Sequence, residues 1–307
     1  MKKYDVVSVG AAVVDILIKP KELASSDKEI MLPKSAKLEV GKRLIVSGGG
    51  ATNSAVGFRK LGLKSELIAR IGDDPLSKYV EMDLKKWGLG AGVKRHIGEE
   101  TDFSVILVAQ DGGRTVLTER GKTRLEKADV DWKMLGQTKW LYISSLEGNT
   151  ELLETLIGAA REEGVEITLN PGSREITAKK SWMGLSGAVK IMLLNRTEAE
   201  AMTERKMGET KFWQEITKWQ IPIVAVTDGR NGAWVIDQAG KKWYSPILNH
   251  QAEDETGAGD AFGTGMTAAL IDGNDIETAL GWGMKNAAGV VGEMGAKSGL
   301  LSRDEIE

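Results

Sequence analysis

A glycine-rich stretch near the C-terminal end places a carboxylate beside a cluster of small residues. Gly257, Ala258 and Gly259 come directly before Asp260, and the apolar residues that follow recur at helical spacing. We therefore expect Asp260 in the first turn of a helix. Free backbone N–H groups at a helix start bind anions, and a neighbouring carboxylate can take a proton from an attacking hydroxyl. This combination is suited to phosphoryl transfer to an alcohol.

The same residues allow two other interpretations. Asp260 could act only as a carboxylate that caps an ordinary helix. Gly257, Gly259 and Gly263 also resemble a loose dinucleotide-binding fingerprint. That fingerprint belongs to a first βαβ unit, and Asp260 would repel a pyrophosphate, so the sequence argues against it. The capping interpretation stays open from these residues alone.

The composition is that of an ordinary globular protein. The chain has 307 residues, of which 41% are hydrophobic and 28% charged, enough for one large α/β domain or two smaller ones. A net charge of −3 predicts no nucleic-acid partner. With no cysteine and two histidines, a thiolate zinc site is excluded and a histidine metal cluster is disfavoured. The sequence shows neither an apolar run of about 18 residues nor a signal-peptide pattern, so we expect no membrane partner and a cytoplasmic location.

A second glycine-rich loop lies in the N-terminal half. Gly48, Gly49 and Gly50 precede a segment with helical periodicity, and Asn53 falls in its first turn. The amide of Asn53 could reach a ligand hydroxyl there, or simply cap the helix. Asp15 is the one acid in an apolar stretch, so it must face solvent, a partner or a ligand, because an unpaired buried carboxylate is costly.

A small sheet outside the main body is predicted from three segments, near residues 12–18, 34–46 and 100–120. Residues 34–46 alternate apolar and polar like a half-exposed strand pair, and Asp111-Gly112-Gly113 predicts a hairpin. Beside a glycine-rich cleft such a sheet would act as a lid that excludes water. Arg120, just past the hairpin, would meet the substrate or remain a surface arginine.

The chain from residue 140 onward alternates strands and helices. This pattern predicts a doubly wound α/β fold, a mainly parallel sheet flanked by helices, within a single domain over residues 1–307. Ligands of such sheets bind beyond the carboxyl ends of the strands. Polar residues follow the predicted strand ends at Glu147, Asn170, Asn195, Glu198 and Thr227. We therefore expect these residues to share one crevice.

Four motifs in order resemble the ribokinase-like (PfkB-type) carbohydrate kinase family over essentially the whole chain. They are GGGATN at Gly48–Asn53, NRTE at Asn195–Glu198, TDGRNG at Thr227–Gly232 and DETGAGD at Asp254–Asp260. The resemblance implies a ribokinase-like fold. It also implies that ATP, with Mg²⁺, phosphorylates a hydroxyl of a small sugar or sugar-like metabolite.

The resemblance also implies roles for individual residues. Asp260 is the general base, and the anion hole consists of Gly257, Ala258 and Gly259. Mg²⁺ is organised, through water, by Asn195 and Glu198. Nucleotide contacts are implied for Thr227, Gly229, Gly232, Asn286 and Asn170. Acceptor contacts are implied for Asp15, Gly49, Asn53 and Glu147. A K⁺ site is implied at Asp254 and Thr256, with carbonyl groups around Gly295 and Gly299.

The chain departs from the family pattern in two places. Glu255 stands where the family's DTxGAGD motif has threonine, which adds negative charge near the site. The acceptor-side motif is GGGATN in place of the GGKGAN of ribokinase, which leaves recognition of ribose itself open.

Two alternatives to a sugar kinase remain. A nucleoside kinase of the same superfamily would need a base pocket under the lid, for which Phe103, Trp132 and Trp140 are candidates, although their helix or strand spacing is more typical of core residues. A non-catalytic sugar-binding relative would have no need for a base, so the intact Asp260 argues against it. An exposed lid edge tends to be paired or covered, and relatives often dimerise there, so we expect a homodimer through the lid.

Overall fold

The described parts of the chain are residues 2–26, 28–120, 123–248 and 252–307 of a computed structural model. Gln251, which begins the glycine-rich stretch around Asp260, lies outside them. The described residues form fifteen strands. In chain order these are β1 (Tyr4–Val9), β2 (Val13–Pro20), β3 (Ala24–Ser25), β4 (Ile30–Met31), β5 (Val40–Gly48), β6 (Ser65–Ile71), β7 (Gly92–Arg95), β8 (Phe103–Val108), β9 (Arg114–Glu119), β10 (Thr138–Ile143), β11 (Glu166–Leu169), β12 (Ile191–Asn195), β13 (Ile223–Thr227), β14 (Ala233–Asp237) and β15 (Lys242–Ser245).

Nine strands form the central sheet, in the order β15-β14-β13-β12-β11-β10-β1-β6-β7. The seven strands from β13 to β7 run parallel, whereas β14 and β15 add an antiparallel hairpin at one edge. Parallel strands need crossover connections, so helices cover both faces of the sheet. This is the doubly wound, mainly parallel architecture that the sequence predicts.

Eleven α-helices lie in the described residues. They are α1 (Gly50–Lys60), α2 (Pro75–Lys86), α3 (Trp132–Gly136), α4 (Thr150–Glu162), α5 (Ser173–Thr177), α6 (Lys179–Trp182), α7 (Arg196–Thr203), α8 (Thr210–Thr217), α9 (Ala258–Ile271), α10 (Ile276–Val291) and α11 (Arg303–Ile306). Apolar periodicity predicts α1, α2, α4, α9 and α10, whereas the shorter helices and β7 carry too little pattern to be found that way.

Alternate residues of each central strand face opposite cores. In β10, Leu141 and Ile143 pack in one core, with side chains from α4, α7 and α8. Trp140 and Tyr142 pack in the other, with side chains from α1, α9 and α10. The period of two along the strand therefore fills both layers. The starts of α1 and α9 lie on the same face of the sheet, which brings the two glycine-rich loops together.

The small sheet has four strands in the order β5-β2-β8-β9. The segments predicted near residues 12–18 and 100–120 supply β2, β8 and β9. The strand pair predicted over residues 34–46 is wrong, because the chain forms one strand there, β5, which begins at Val40 and pairs along its length with β2. No helix of the described residues is long and apolar enough to cross a membrane.

Candidate active site

The first turn of α9 presents backbone N–H groups flanked by glycines, of which the Ala258 N–H makes a long bond of 3.4 Å to the Glu255 carbonyl. Gly257 caps the helix at φ +80°, in the left-handed region that favours glycine, and a Cβ there would overlap the Cβ of Ala296. A Cβ at Gly259 would meet no atom of the described residues within 4 Å, so this glycine faces open space. The first N–H groups of a helix have no intrahelical acceptor. The loop is therefore shaped to bind an anion.

Asp260 and Asn53 meet at the starts of α9 and α1. Asn53 Nδ2 donates to Asp260 Oδ2 at 2.8 Å, and a Cβ on Gly50 would lie 3.6 Å from Asp260 Oδ1. Asn53 is 6% exposed, and its Oδ1 has no hydrogen-bond partner among the described residues. A buried acceptor without a donor is costly, so this oxygen is suited to a donor supplied by a ligand.

Burial sets the proton affinity of Asp260. Removal from water raises the pKa of the Asp260 carboxyl, while the Asn53 hydrogen bond and the charges of Lys297 and Arg114 lower the pKa in part. A carboxylate whose pKa moves toward neutrality is a better general base than a free aspartate. The Asp260 side chain does not cap the helix, because its hydrogen bond is to Asn53.

Asp15 reaches the same region from lid strand β2. Its carboxylate is 7% exposed, and a Cβ on Gly48 would overlap it. Burial raises the pKa of Asp15, whereas the charges of Lys297 and Arg120 and a hydrogen bond from Ser104 lower it. The predicted acceptor residue Gly49 has φ +89° and lies against the Ala11 carbonyl.

Glu147 and Arg120 form a second polar group, an ion pair between the residue after β9 and the residue after Leu146. Arg120 Nη1 lies 2.5 Å from Glu147 Oε1, and Arg174 Nη1 lies 3.4 Å from Glu147 Oε2. Glu147 has φ +56°, an uncommon conformation for a residue with a side chain. Arg120 is thus paired with Glu147 and within electrostatic reach of Asp15, as a lid residue that contacts substrate would be.

A cavity of about 640 Å³ lies beyond the start of α9. The predicted nucleotide residues in its lining are Asn195, Thr227, Gly229 and Gly232. Ala258 and Gly259 line it as well, so the start of α9 opens into this cleft. One wall of the cleft is apolar and consists of Phe262, Met284, Ala287, Ala288 and Val291. The sequence did not predict this wall, because its residues lie in α9 and α10, whose apolar pattern is typical of helices packed in the core.

Asn195 and Glu198 form a capping box at the start of α7. Asn195 Oδ1 accepts from the Glu198 N–H at 2.9 Å, and Glu198 Oε2 accepts from the Asn195 N–H at 2.8 Å. Burial raises the pKa of Glu198, and the nearby charge of Asp260 raises it further. The NRTE motif is therefore a helix cap that also holds a carboxylate within electrostatic reach of Asp260.

Two predicted nucleotide residues do not line the cleft. Asn286 is fully buried, with Nδ2 donating to the Ala261 carbonyl at 2.8 Å and Oδ1 accepting from the Leu301 N–H at 3.0 Å. Its amide joins α10 to α9, and its implied position near the adenine stays a prediction. Asn170 donates to the Leu193 carbonyl at 3.0 Å and ties two strand ends together.

The residues predicted for K⁺ are partly assembled. Asp254 is fully buried. Its Oδ1 accepts hydrogen bonds from Thr256 N at 2.9 Å and from Thr256 Oγ1 at 2.6 Å. Its Oδ2 accepts from Gly295 N at 2.9 Å. Gly299 packs closely against the Gly289 carbonyl, and the implied part of its own carbonyl in a K⁺ site stays a prediction. Among the described residues no group of three or more acidic or histidine side chains could hold a metal ion.

A family model described as pfkB family carbohydrate kinase matches residues 3–303. The chain belongs to this family. It is a carbohydrate kinase.

Several relatives of this pfkB-family kinase match along almost its whole length. Ribokinase from Haemophilus influenzae is 27% identical over 85% of this chain and 86% of its own. The 5-dehydro-2-deoxygluconokinase of Bacillus subtilis is 22% identical over 100% of this chain and 95% of its own. Arabidopsis thaliana ribokinase, solved with ribose and ATP, has a TM-score of 0.81 at 20% identity over 99% of this chain and 97% of its own. The adenosine kinase of Sinorhizobium meliloti has a TM-score of 0.80 at 24% identity over 96% of each chain.

The Glu255 departure from the family pattern has a structural counterpart. Glu255 Oε2 lies 3.6 Å from Arg114 Nη1 of the lid, and Glu255 Oε1 lies 3.6 Å from Arg230 Nη2 of the TDGRNG turn. Two guanidinium groups thus balance the added carboxylate in this kinase. Sequence reasoning missed both arginines, because lid and turn are far apart along the chain.

The aromatic residues considered for a base pocket mostly pack elsewhere in this kinase. Trp140 is 7% exposed, and its Nε1 donates to Thr168 Oγ1 at 2.8 Å inside one core. Trp132 packs against the core on the opposite face of the sheet. Both rings therefore lie against the cores, as their helix and strand spacing predicts. Phe103 lies in the lid and packs against the cluster beneath it.

Proposed function

We propose that this kinase transfers the γ-phosphoryl group of ATP, with Mg²⁺, to a hydroxyl of a small sugar or sugar-like metabolite. The observation that carries the proposal is the convergence of Asp260, Asn53 and the glycine-flanked start of α9 beside the 640 Å³ cleft. A base, a hydroxyl-binding amide and an anion-binding helix start are the parts that phosphoryl transfer to an alcohol requires.

In the proposed reaction Asp260 takes the proton from the acceptor hydroxyl as that oxygen attacks phosphorus. The N–H groups of Gly257, Ala258 and Gly259 hold the transferred phosphoryl oxygens. A general base typically contributes about 10²–10⁴-fold in rate. The loss of one anion-hole donor costs on the order of 3 kcal/mol.

Acceptor binding is assigned to Asp15, Gly49, Asn53, Glu147 and Arg120. Carboxylates and an amide oxygen accept hydrogen bonds from sugar hydroxyls, and the unpartnered Asn53 Oδ1 supplies such an acceptor at the reacting end. The lid strands β2 and β9 bring Asp15 and Arg120 to the site, so closure of the lid would exclude water.

The nucleotide is assigned to the cleft lined by Asn195, Thr227, Gly229 and Gly232. The apolar wall formed by Phe262, Met284 and their neighbours is suited to a base, because an adenine ring buries apolar surface. Mg²⁺ would neutralise phosphate charge, and Asn195 and Glu198 would hold it through water. The half-buried Glu198 carboxylate, with its raised pKa, fits a cation partner.

A K⁺ ion at Asp254 and Thr256 is part of the proposal. Asp254 is fully buried and forms no ion pair with another described residue, although three donors contact its oxygens. A buried carboxylate without a countercharge is costly, so a monovalent cation held with neighbouring carbonyl groups would stabilise it.

We also propose a homodimer formed through the lid, and a cytoplasmic location, where ATP is available. A row of apolar residues pairs in register across the four lid strands, Ile45, Ile16, Val105 and Leu117. The outer two, Ile45 and Leu117, are 38% and 57% exposed. A second lid would cover this row. Light scattering of purified protein should give a dimer mass, and Leu117→Lys should give a monomer.

A coupled ADP-release screen with Mg·ATP tests the proposed reaction. The acceptors are ribose, fructose, 2-keto-3-deoxygluconate, fructose 1-phosphate, adenosine, guanosine, cytidine and uridine, each with and without K⁺. Turnover on a sugar or sugar acid supports the proposal, and stimulation by K⁺ supports the cation site. Turnover on nucleosides alone would replace the sugar with a nucleoside. A chain that binds sugar but turns over none of these acceptors would favour the non-catalytic alternative.

A further inference from the structure

Lys297 is a nearly buried lysine between the lid and the body. It lies in the loop after α10, and its side chain is 9% exposed. The ammonium donates to the Ser47 carbonyl and, at 2.9 Å, to Ser47 Oγ. Asp83 Oδ2 lies 3.7 Å from the same nitrogen. A buried ammonium is retained where polar partners compensate its loss of water, and here Ser47 and Asp83 do so.

Ser47 and Asp83 complete a closed group with this lysine. Ser47 Oγ donates to Asp83 Oδ2 at 2.6 Å, and Ser47 N donates to the same oxygen at 3.3 Å. Ser47 directly precedes the acceptor loop, Gly48–Gly50. The three side chains therefore fix the point at which the acceptor loop leaves β5.

The two residues before Lys297 contact the anion-hole side of the site. Gly295 N donates to Asp254 Oδ2 at 2.9 Å, at the beginning of the DETGAGD motif. Ala296 lies where a Cβ on Gly257 would be. Three consecutive residues thus join the loop that carries Asp260 to the loop that carries Gly49.

The charge of Lys297 also acts on the two acids of the site. Its positive charge opposes the effect of burial on both Asp15 and Asp260, so that the pKa of each acid rises less than burial alone would cause. Burial lowers the pKa of Lys297 itself, and Asp83, Asp15 and Asp260 counteract that effect. The lysine is therefore coupled to the base and to the acceptor site by charge as well as by contact.

We propose that Lys297 is a positioning residue for phosphoryl transfer, which holds the acceptor loop Gly48–Gly50 in register with the anion hole at Gly257. The inference rests on the proposed function, since it takes the Gly48–Gly50 loop to bind the acceptor. Lys297 is not among the residues assigned above to the acceptor, the nucleotide or the transferred phosphoryl group, so the inference adds a residue to the proposed site.

The test compares Lys297→Met and Lys297→Arg with a matched control, Lys60→Met. Lys60 donates to the Leu300 carbonyl at 2.6 Å, so it is another lysine bound to the C-terminal region of the chain. With the acceptor that gives turnover in the screen, Lys297→Met should raise the acceptor KM at least ~10-fold, because small misplacements of bound reactants are costly. The KM for Mg·ATP should stay within about twofold, and Lys297→Arg, which keeps the positive charge, should restore part of the acceptor affinity.

Hydrogen exchange provides a readout that needs no acceptor. In Lys297→Met, amides of residues 47–53 should exchange faster than in the wild type, whereas those of β12 and β13 should not change. If Lys297→Met does not fold, the double variant Lys297→Met/Asp83→Asn, which removes both buried charges, takes its place in the kinetic and the hydrogen-exchange measurements. Equal changes in both KM values, or unchanged exchange at residues 47–53, would overturn the proposal. A wild type that phosphorylates no acceptor defeats the proposed function, while the exchange result still decides the role of Lys297 in the loop.

Discussion

The side chains of Asn53 and Asp260 are joined directly, with Nδ2 donating to Oδ2 at 2.8 Å across 207 residues of sequence. Each residue lies near the start of a helix that follows a glycine-rich loop, α1 for Asn53 and α9 for Asp260. The bond therefore couples the loop assigned to the acceptor with the loop assigned to the phosphoryl group. It also orients the proposed base before any ligand binds.

Asp260→Asn should lower kcat by about 10²–10⁴-fold, because the amide cannot take a proton from the acceptor. The neutral side chain can still accept the Asn53 hydrogen bond, so binding of acceptor and ATP should persist, as calorimetry would measure. Asp304→Asn, at an exposed aspartate of α11, is the control and should keep wild-type activity. Near-normal turnover in Asp260→Asn would remove Asp260 from the role of base.

The acid limb of the kcat/KM profile should lie above the ordinary aspartate pKa of 3.8, because burial raises the pKa of Asp260. Below that raised pKa the carboxyl is protonated and cannot act as a base, so activity falls as the pH falls through it. The same raised pKa means that ionised Asp260 costs stability above it, a cost that disappears once the pH is below the unfolded pKa.

Lys297→Met should move this acid limb to higher pH, because the lysine charge lowers the pKa of Asp260. Lys60→Met serves as the control and should leave the limb in place. Rate profiles over a pH range in which each variant remains folded provide the measurement. A limb that moves to lower pH in Lys297→Met would contradict the electrostatic coupling.

Two glycine substitutions at the anion hole should have opposite effects on stability. Gly257→Ala places a Cβ against Ala296 at φ +80°, so it should cost about 1–3 kcal/mol and abolish turnover. Gly259→Ala lies in the helix and in open space, so stability should rise by about 0.5–1 kcal/mol. Its methyl group enters the cleft, and the KM for ATP should increase. Denaturant titration together with steady-state kinetics distinguishes the two effects.

The capping box at α7 separates a structural from a chemical role. Asn195→Ala removes the cap and should cost about 1 kcal/mol of unfolding free energy. Glu198→Gln keeps an oxygen that can accept from the Asn195 N–H but removes the charge. The Mg²⁺ concentration for half-maximal rate should then rise about 10-fold. An unchanged Mg²⁺ requirement in Glu198→Gln would argue against the metal assignment.

Asn286→Ala should destabilise the protein without weakening nucleotide binding. The substitution leaves the buried Ala261 carbonyl and Leu301 N–H without their partner, at a cost of about 1–3 kcal/mol. The KM for ATP should stay close to the wild-type value in the temperature range where the variant is folded. A raised KM at unchanged stability would support the adenine contact that the resemblance implies.

Local patterns in the sequence predict much of this architecture. Strand–helix alternation after residue 140 predicts the parallel sheet, and the glycine-led helices α1 and α9 are predicted with Asn53 and Asp260 in their first turns. These predictions succeed because apolar periodicity and helix starts are properties of neighbouring residues. The strand pair over residues 34–46 fails because alternation alone does not show where the partner strand lies, and β5 pairs with β2 from outside the segment.

Side-chain partners separated along the chain required the tertiary structure. Nothing near Lys297 in the sequence indicates Ser47 or Asp83, and Glu255 gains its arginines from the lid and from a turn of the body. Asn286 occupies a position that the resemblance assigns to nucleotide, yet packing of α10 on α9 uses its amide internally. Sequence alone determined which groups could perform phosphoryl transfer. Packing decided which of them meet, because burial, charge pairing and hydrogen-bond satisfaction depend on elements brought together from across the chain.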